Sequence, residues 1–74
     1  MKMERETKRY AINERNVITH LNTLNKRMKE YRDQNDFSNA LKVQAQLGEA
    51  IDFAGFLVGI NFYFDKELNE FVLS

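Results

Sequence analysis

The sequence predicts a mainly α-helical fold: an antiparallel two-helix hairpin followed by a short C-terminal element. Two long segments place apolar residues at helical spacing, and a polar stretch at residues 32–36 separates them. Proline is absent throughout, so nothing of that kind breaks either segment. A chain of 74 residues has room for one domain. Because so small a core is usually completed by a staple or a second chain, we expect self-association.

The first helix is predicted over residues 10–33, after a polar start at residues 1–9 that we expect to be frayed. Its apolar stripe has steps of four and three residues, which keep the side chains on one side of an α-helix. The stripe consists of Val17, Leu21, Leu24, Met28 and Tyr31.

The second helix is predicted over residues 36–59, and its N-cap is expected to be Asp36 or Asn35. Asp and Asn tolerate turn conformations as well as capping positions, which suits residues 32–36 to a turn. A connection this short makes the two helices antiparallel neighbours. Gly59 is the expected C-cap, since glycine adopts the left-handed conformation that ends many helices.

Two apolar stripes run along the second helix, and one partner helix covers only one of them. The first stripe is rich in small residues and is expected to face the first helix, with Gly55 in close contact. It consists of Phe37, Ala40, Leu41, Gln44, Leu47, Gly48, Ile51, Ala54, Gly55 and Val58. The second stripe consists of Val43, Ala50, Phe53, Leu57 and Ile60, with Phe56 beside it. We predict that Phe53, Phe56, Leu57 and Ile60 form an interface with another copy or with a partner protein.

The closing element, residues 60–74, fits two interpretations. As a β-hairpin, Phe62 and Phe64 share one face, residues 66–69 turn, and Phe71 and Leu73 return on that same face. As a third helix, the same segment continues the second stripe. The aromatic residues favour strands and the Asp65–Leu68 stretch favours a helix, and we prefer the hairpin.

The residues that enzymes and metal sites need are scarce. Cysteine is absent and His20 is the single histidine, so neither a thiolate metal site nor a zinc site can be assembled from one chain. Carboxylates three apart, such as Glu49 and Asp52, are not accompanied by a Glu-x-x-His motif. The glycines form no phosphate-binding loop. We therefore predict a non-enzymatic protein without catalytic residues, metal or cofactor.

Charge is distributed unevenly along the chain. Residues 1–36 contain nine Lys or Arg and six Asp or Glu, a net charge of +3, and residues 37–74 contain two and five, a net charge of −3. We expect this pattern to reflect attraction between two oppositely charged helices, within the hairpin or across a dimer. The alternative is a nucleic-acid-binding face on the first helix, carried by Lys26, Arg27, Lys29 and Arg32.

No signal peptide is recognised at the N-terminus, and the uncharged run at residues 53–64 is shorter than the roughly 20 residues that span a membrane. These features predict a cytoplasmic protein without a membrane partner.

The segment Tyr31-x-x-x-x-Asp36-Phe37-x-x-Ala40-Leu41-x-x-Gln44 resembles the inter-helix turn of tetratricopeptide-like hairpins. Solenoids of that kind need about three repeats, and one hairpin is present here. Over the hairpin and the acidic-aromatic tail, the chain is also similar to small, mostly uncharacterised proteins of phages and prophages of Gram-positive bacteria. That resemblance implies a mobile-element origin, and with it a host protein as a further partner. It implies no activity and transfers no functional residues.

Overall fold

A computed structural model of the protein describes residues 13–74. Helix α1 spans Glu14–Asp33 and helix α2 spans Phe37–Asp52, after which a π-helical segment continues over Phe53–Val58. Strands β1, Phe62–Asp65, and β2, Glu70–Leu73, form a two-stranded antiparallel sheet. The predicted helical hairpin with a C-terminal β-hairpin is therefore confirmed. The predictions for residues 1–9 and for a helix start at residue 10 lie outside the described residues.

A single tight turn ends α1 and begins α2. Asn35 adopts the left-handed conformation with φ 60°, its N–H donates to the Arg32 carbonyl (2.9 Å), and the Asp36 N–H donates to the Tyr31 carbonyl (2.8 Å). These two bonds form a Schellman motif, with asparagine at the position that glycine usually takes. The Asp36 carboxylate then accepts the Asn39 N–H (3.3 Å), so the predicted N-cap at Asp36 is confirmed.

The core is one apolar cluster between α1, α2 and β2. Leu21 is completely buried at its centre, and β2 contributes one aromatic side chain. The other side chains come from the two helices at the spacing of a helical stripe. The buried members are Ile18, Leu21, Leu24, Met28, Val43, Leu47 and Phe71, and Tyr31, Ala50, Ile51 and Phe62 pack against them.

The predicted orientation of α2 is wrong. Its buried side chains are Ala40, Val43 and Leu47. At 100° per residue, these three residues lie along the boundary between the two predicted stripes. Their direction differs by about 60° from the centre of the first stripe, the one expected to face α1. Members of the first stripe are left on the surface instead, such as Phe37 and Leu41. A Cβ built on Gly55 would meet nothing within 4 Å, so the expected close contact with α1 is absent.

The β-hairpin has the register that alternation predicts. Phe62 pairs with Leu73 and Phe64 pairs with Phe71, which places all four side chains on one face. Phe71 meets the rings of Phe62 and Phe64 edge to face, at centroid distances of 6.0 and 5.1 Å. At the turn, Asp65 accepts the N–H groups of residues 67 and 68, and Asn69 adopts φ 59°. Aspartate and asparagine suit these two positions.

A side-chain amide fastens the hairpin to α1. The Asn22 Oδ1 accepts the Phe71 N–H at 2.6 Å, and the Asn22 Nδ2 donates to the Phe71 carbonyl at 3.0 Å. The amide thus takes the place that a neighbouring strand would occupy beside β2. One turn further along α1, the buried Asn25 donates to the Asn69 carbonyl at 3.4 Å.

We expect Asn22→Ala to lower the free energy of unfolding by about 1–3 kcal/mol, because it leaves a part-buried donor and acceptor of Phe71 without partners. Asn16→Ala, at an exposed position of the same helix, is the control and should change stability by less than about 0.5 kcal/mol. Urea unfolding measures both. Equal midpoints for the two variants would show that the amide does not hold the hairpin.

Replacing Gly48 and Gly59 with alanine should change the stability of the chain in opposite directions. Gly48 is exposed within α2 and Gly59 ends the π-helical segment with φ 76°, and an added Cβ meets nothing within 4 Å at either position. Gly48→Ala should therefore stabilise the chain by about 0.5–1 kcal/mol through helix propensity. Gly59→Ala should destabilise it by about 1–2 kcal/mol, because the left-handed conformation penalises a side chain. Thermal melts at equal concentration test both signs, and a higher melting temperature for Gly59→Ala would contradict the assignment.

Candidate interaction surface

Three large apolar side chains project from the π-helical segment at the end of α2. Phe56 is 86% exposed, Leu57 is 78% exposed and Phe53 is 45% exposed. We call Phe53, Phe56 and Leu57 the π-segment surface. Ile60, the fourth residue of the predicted interface, lies just beyond Gly59 and is only 5% exposed. The structure thus brings three of the four residues to the surface and places the fourth against the chain's own interior.

The local backbone explains this separation. A π-helical segment has more residues per turn than an α-helix, so it changes the direction of the side chains that follow Asp52. The segment ends where the N–H groups of Gly59 and Ile60 both donate to the Ala54 carbonyl, the second at 2.9 Å. Ala54 itself is completely buried. The small buried alanine and the left-handed glycine therefore fix the segment, and the bulky residues between and beside them point outwards.

Two shallow grooves flank the π-segment surface. On one side, Phe53 borders a groove between the two helices, which is lined by His20, Leu24, Arg27, Gln46, Glu49, Ala50 and Phe53. On the other side, Phe56 borders a groove next to the sheet, which is lined by Ile51, Asp52, Gly55, Phe56, Ile60, Asn61, Phe62 and Ser74. Each groove has a volume of about 660 Å³. Because both grooves are wide open, each fits a protein surface better than an enclosed small molecule.

Further apolar side chains are exposed away from this surface. Phe37 (58%) and Leu41 (64%) are neighbours on the first turns of α2, at the opposite end of the helix. Tyr63 (53%) lies on the sheet and Leu68 (59%) in the β-turn. Isolated apolar residues at the surface are common in proteins. The π-segment surface differs from them because three such residues occur within five positions.

The basic residues proposed for nucleic-acid binding do not form a single patch. Lys26 and Lys29 border a polar groove shared with Glu70 of the hairpin, whereas Arg27 borders the inter-helix groove on another side of α1, shared with Glu49. Arg32 lies at the end of α1, where its guanidinium contacts the Met28 sulfur at 3.7 Å. Lys26 and Lys29 therefore share one groove and Arg27 lines the other, and a carboxylate residue lines each of the two grooves.

Within residues 13–74, no group of three or more His, Cys, Asp or Glu side chains is arranged to hold a metal ion. His20 is exposed and borders the inter-helix groove beside Arg27 and Glu49. None of the described helices combines the length and the apolar character needed to cross a bilayer. Comparison of the chain with protein-family models, with curated proteins and with solved structures finds no match.

Sequence reasoning missed the residues that attach the sheet, Asn22 and Asn25. Both lie beside the apolar stripe of α1, three positions apart, where polar surface residues are also common. An amide at the edge of a buried stripe is a usable signal, since a buried amide needs hydrogen-bond partners. Its partner in the strand cannot be identified from spacing alone.

The separation of the basic residues predicts weak nucleic-acid binding. A site that neutralises several phosphates loses affinity steeply with salt. We expect fluorescence anisotropy with generic duplex DNA and single-stranded RNA to show little binding even at 50 mM salt. Strong binding whose affinity falls about tenfold or more between 50 and 200 mM salt, and which Lys26→Glu abolishes, would instead support the nucleic-acid hypothesis.

Proposed function

We propose that the protein is a non-enzymatic interaction module that self-associates through the π-segment surface. The observation that carries the proposal is the exposure of Phe53, Phe56 and Leu57 at neighbouring positions. Complete burial of one Phe or Leu side chain is worth about 1.5–3 kcal/mol. Contact between two copies buries these residues on both, so the gain is doubled in a symmetric dimer.

The distribution of charge supports a second copy as the partner. Residues 1–36 carry a net charge of +3 and residues 37–74 a net charge of −3. A second copy carries the same two halves, so each half can meet the oppositely charged half of the other copy. Such complementarity fixes orientation and adds to the apolar contact.

Asp52 limits how the surface is used. It is exposed and precedes the π-helical segment directly. A carboxylate buried without a partner is unfavourable, so the contact has to leave Asp52 at its rim or place a basic residue opposite it. This requirement favours a compact contact centred on Phe56 and Leu57, with the charged group in water.

The experiment compares Phe56→Asp with Phe37→Asp by light scattering at several micromolar concentrations. The unchanged chain should have a mass above the 8.8 kDa of one chain. Phe56→Asp should return the mass to that of a monomer, because a carboxylate would be buried in the contact. Phe37→Asp removes a similarly exposed phenylalanine from the other end of α2 and should leave the mass unchanged.

Because Phe56 is 86% exposed in a single chain, Phe56→Asp should leave the folded monomer intact, which circular dichroism verifies. An unchanged chain that stays at 8.8 kDa on concentration would contradict the proposal. A self-associating Phe56→Asp protein would show that this surface is not the contact. A different protein, such as a host protein, is the alternative occupant, and a monomeric chain would redirect the search to it.

A further inference from the structure

The inner edge of the sheet is already occupied. The N–H and C=O of Phe71 in β2 are both bound by the Asn22 side chain, at 2.6 and 3.0 Å. The Asn25 Nδ2 donates to the Asn69 carbonyl at 3.4 Å. Strand β2 thus lies between α1 and β1, and any further strand has to be added at the outer edge of β1.

The register identifies the free groups on that outer edge. In an antiparallel pair, hydrogen-bonded and non-hydrogen-bonded positions alternate. The Phe71 peptide groups point to Asn22, so the Phe64–Phe71 pair is a non-hydrogen-bonded one, and by alternation so is Phe62–Leu73. The N–H and C=O of Phe62 and Phe64 therefore point away from β2. Among residues 13–74, these four groups have no partner.

We propose that β1 pairs with β1 of a second copy in antiparallel orientation, about a two-fold axis at Tyr63, to give a four-stranded sheet. The inference rests on the proposed self-association and names a second contact within it. In this register Phe62 lies opposite Phe64 of the second copy, and each pair exchanges two hydrogen bonds. All four free groups on each copy are then satisfied within the residues of β1.

In this register the side chains of β1 are compatible with those of β1 in the second copy. Asp65 lies opposite the Asn61 amide of the second copy, so the two carboxylates stay about 14 Å apart along the strands. An axis at Phe64 would instead place Asp65 opposite Tyr63, and an axis at Phe62 would extend the pairing into the buried Ile60. Phe62 beside Phe64 of the second copy also extends the row of edge-to-face rings that Phe71 begins.

Three further features favour this contact. Strand β1, with the sequence FYFD, contains no proline or lysine, the residues that commonly protect an edge strand from pairing. A two-stranded sheet is also marginally stable, and a third and fourth strand relieve that weakness. Phe56 and Phe62 line the same groove, so the π-segment surface and the edge of β1 are neighbours.

Cysteine cross-linking tests the pairing, because the chain has no cysteine of its own. Tyr63 would face Tyr63 of the second copy at a non-hydrogen-bonded position, where Cα atoms are about 4.5 Å apart, within the range of a disulfide. Tyr63→Cys should form a disulfide-linked dimer under mild oxidation at least about tenfold faster than Phe37→Cys, whose side chain is similarly exposed.

The register has its own test. Neither Asn61→Cys nor Asp65→Cys should cross-link with itself, whereas an equal mixture of the two should, because residue 61 lies opposite residue 65. In the unmodified chain, amide exchange at Phe62 and Phe64 should slow as concentration rises. A chain that self-associates while Tyr63→Cys reacts no faster than Phe37→Cys would overturn the strand pairing alone. A chain that remains monomeric would overturn both proposals.

Discussion

The paired hydrogen bonds between the Asn22 amide and the Phe71 peptide group decide how the sheet is attached to the helices. The distances are 2.6 Å from the Phe71 nitrogen to Asn22 Oδ1 and 3.0 Å from Asn22 Nδ2 to the Phe71 oxygen. These bonds place β2 next to α1 and leave β1 as the strand farther from the helix. The position of Phe71 in the core follows from the same contact, and so does the row of aromatic rings along the sheet. A polar side chain on a helix thus determines which apolar side chain of the hairpin is buried and which strand edge remains exposed.

The second constraint is the small amount of surface that can cover α2. Helix α1 is the main element packed against it, so a single line of its side chains is buried. An α-helix with apolar residues on two sides then necessarily exposes some of them. Phe37 and Leu41 are exposed on one side of that line and Phe53 and Leu57 on the other. The apolar surface is a direct result of a helix that is more hydrophobic than its own chain can bury.

Much of the fold could be predicted from the sequence. The stripe through Leu21, Leu24 and Met28 and the Asp36 cap depend on interactions within a few residues, and these predictions are confirmed. The orientation of α2 could not be obtained in this way, since two stripes compete and packing against α1 selects the line between them. A helical wheel also assumes 100° per residue, which the π-helical segment at Phe53–Val58 does not follow.

For the candidate surface, too, the sequence predicts some features and misses others. Apolar character alone selected Phe53, Phe56 and Leu57, and all three are exposed, at 45–86%. Ile60 has the same character, but a backbone reversal at Gly59 separates it from them. The Asn22–Phe71 contact joins positions 49 apart in the sequence, and no local pattern indicates such a contact.

The sharing of Asp36 by both helices has a consequence for how the chain closes on itself. Asp36 donates its N–H to the Tyr31 carbonyl at the end of α1 and also caps α2, so three residues, Gln34 to Asp36, complete the reversal. That reversal brings Phe53 beside His20 and Leu24. The loop that remains to be closed before Phe71 meets Asn22 then runs over roughly 18 residues instead of 49. Loop-closure entropy grows with the logarithm of length, so the helical hairpin lowers the cost of docking the sheet by about 1 kcal/mol.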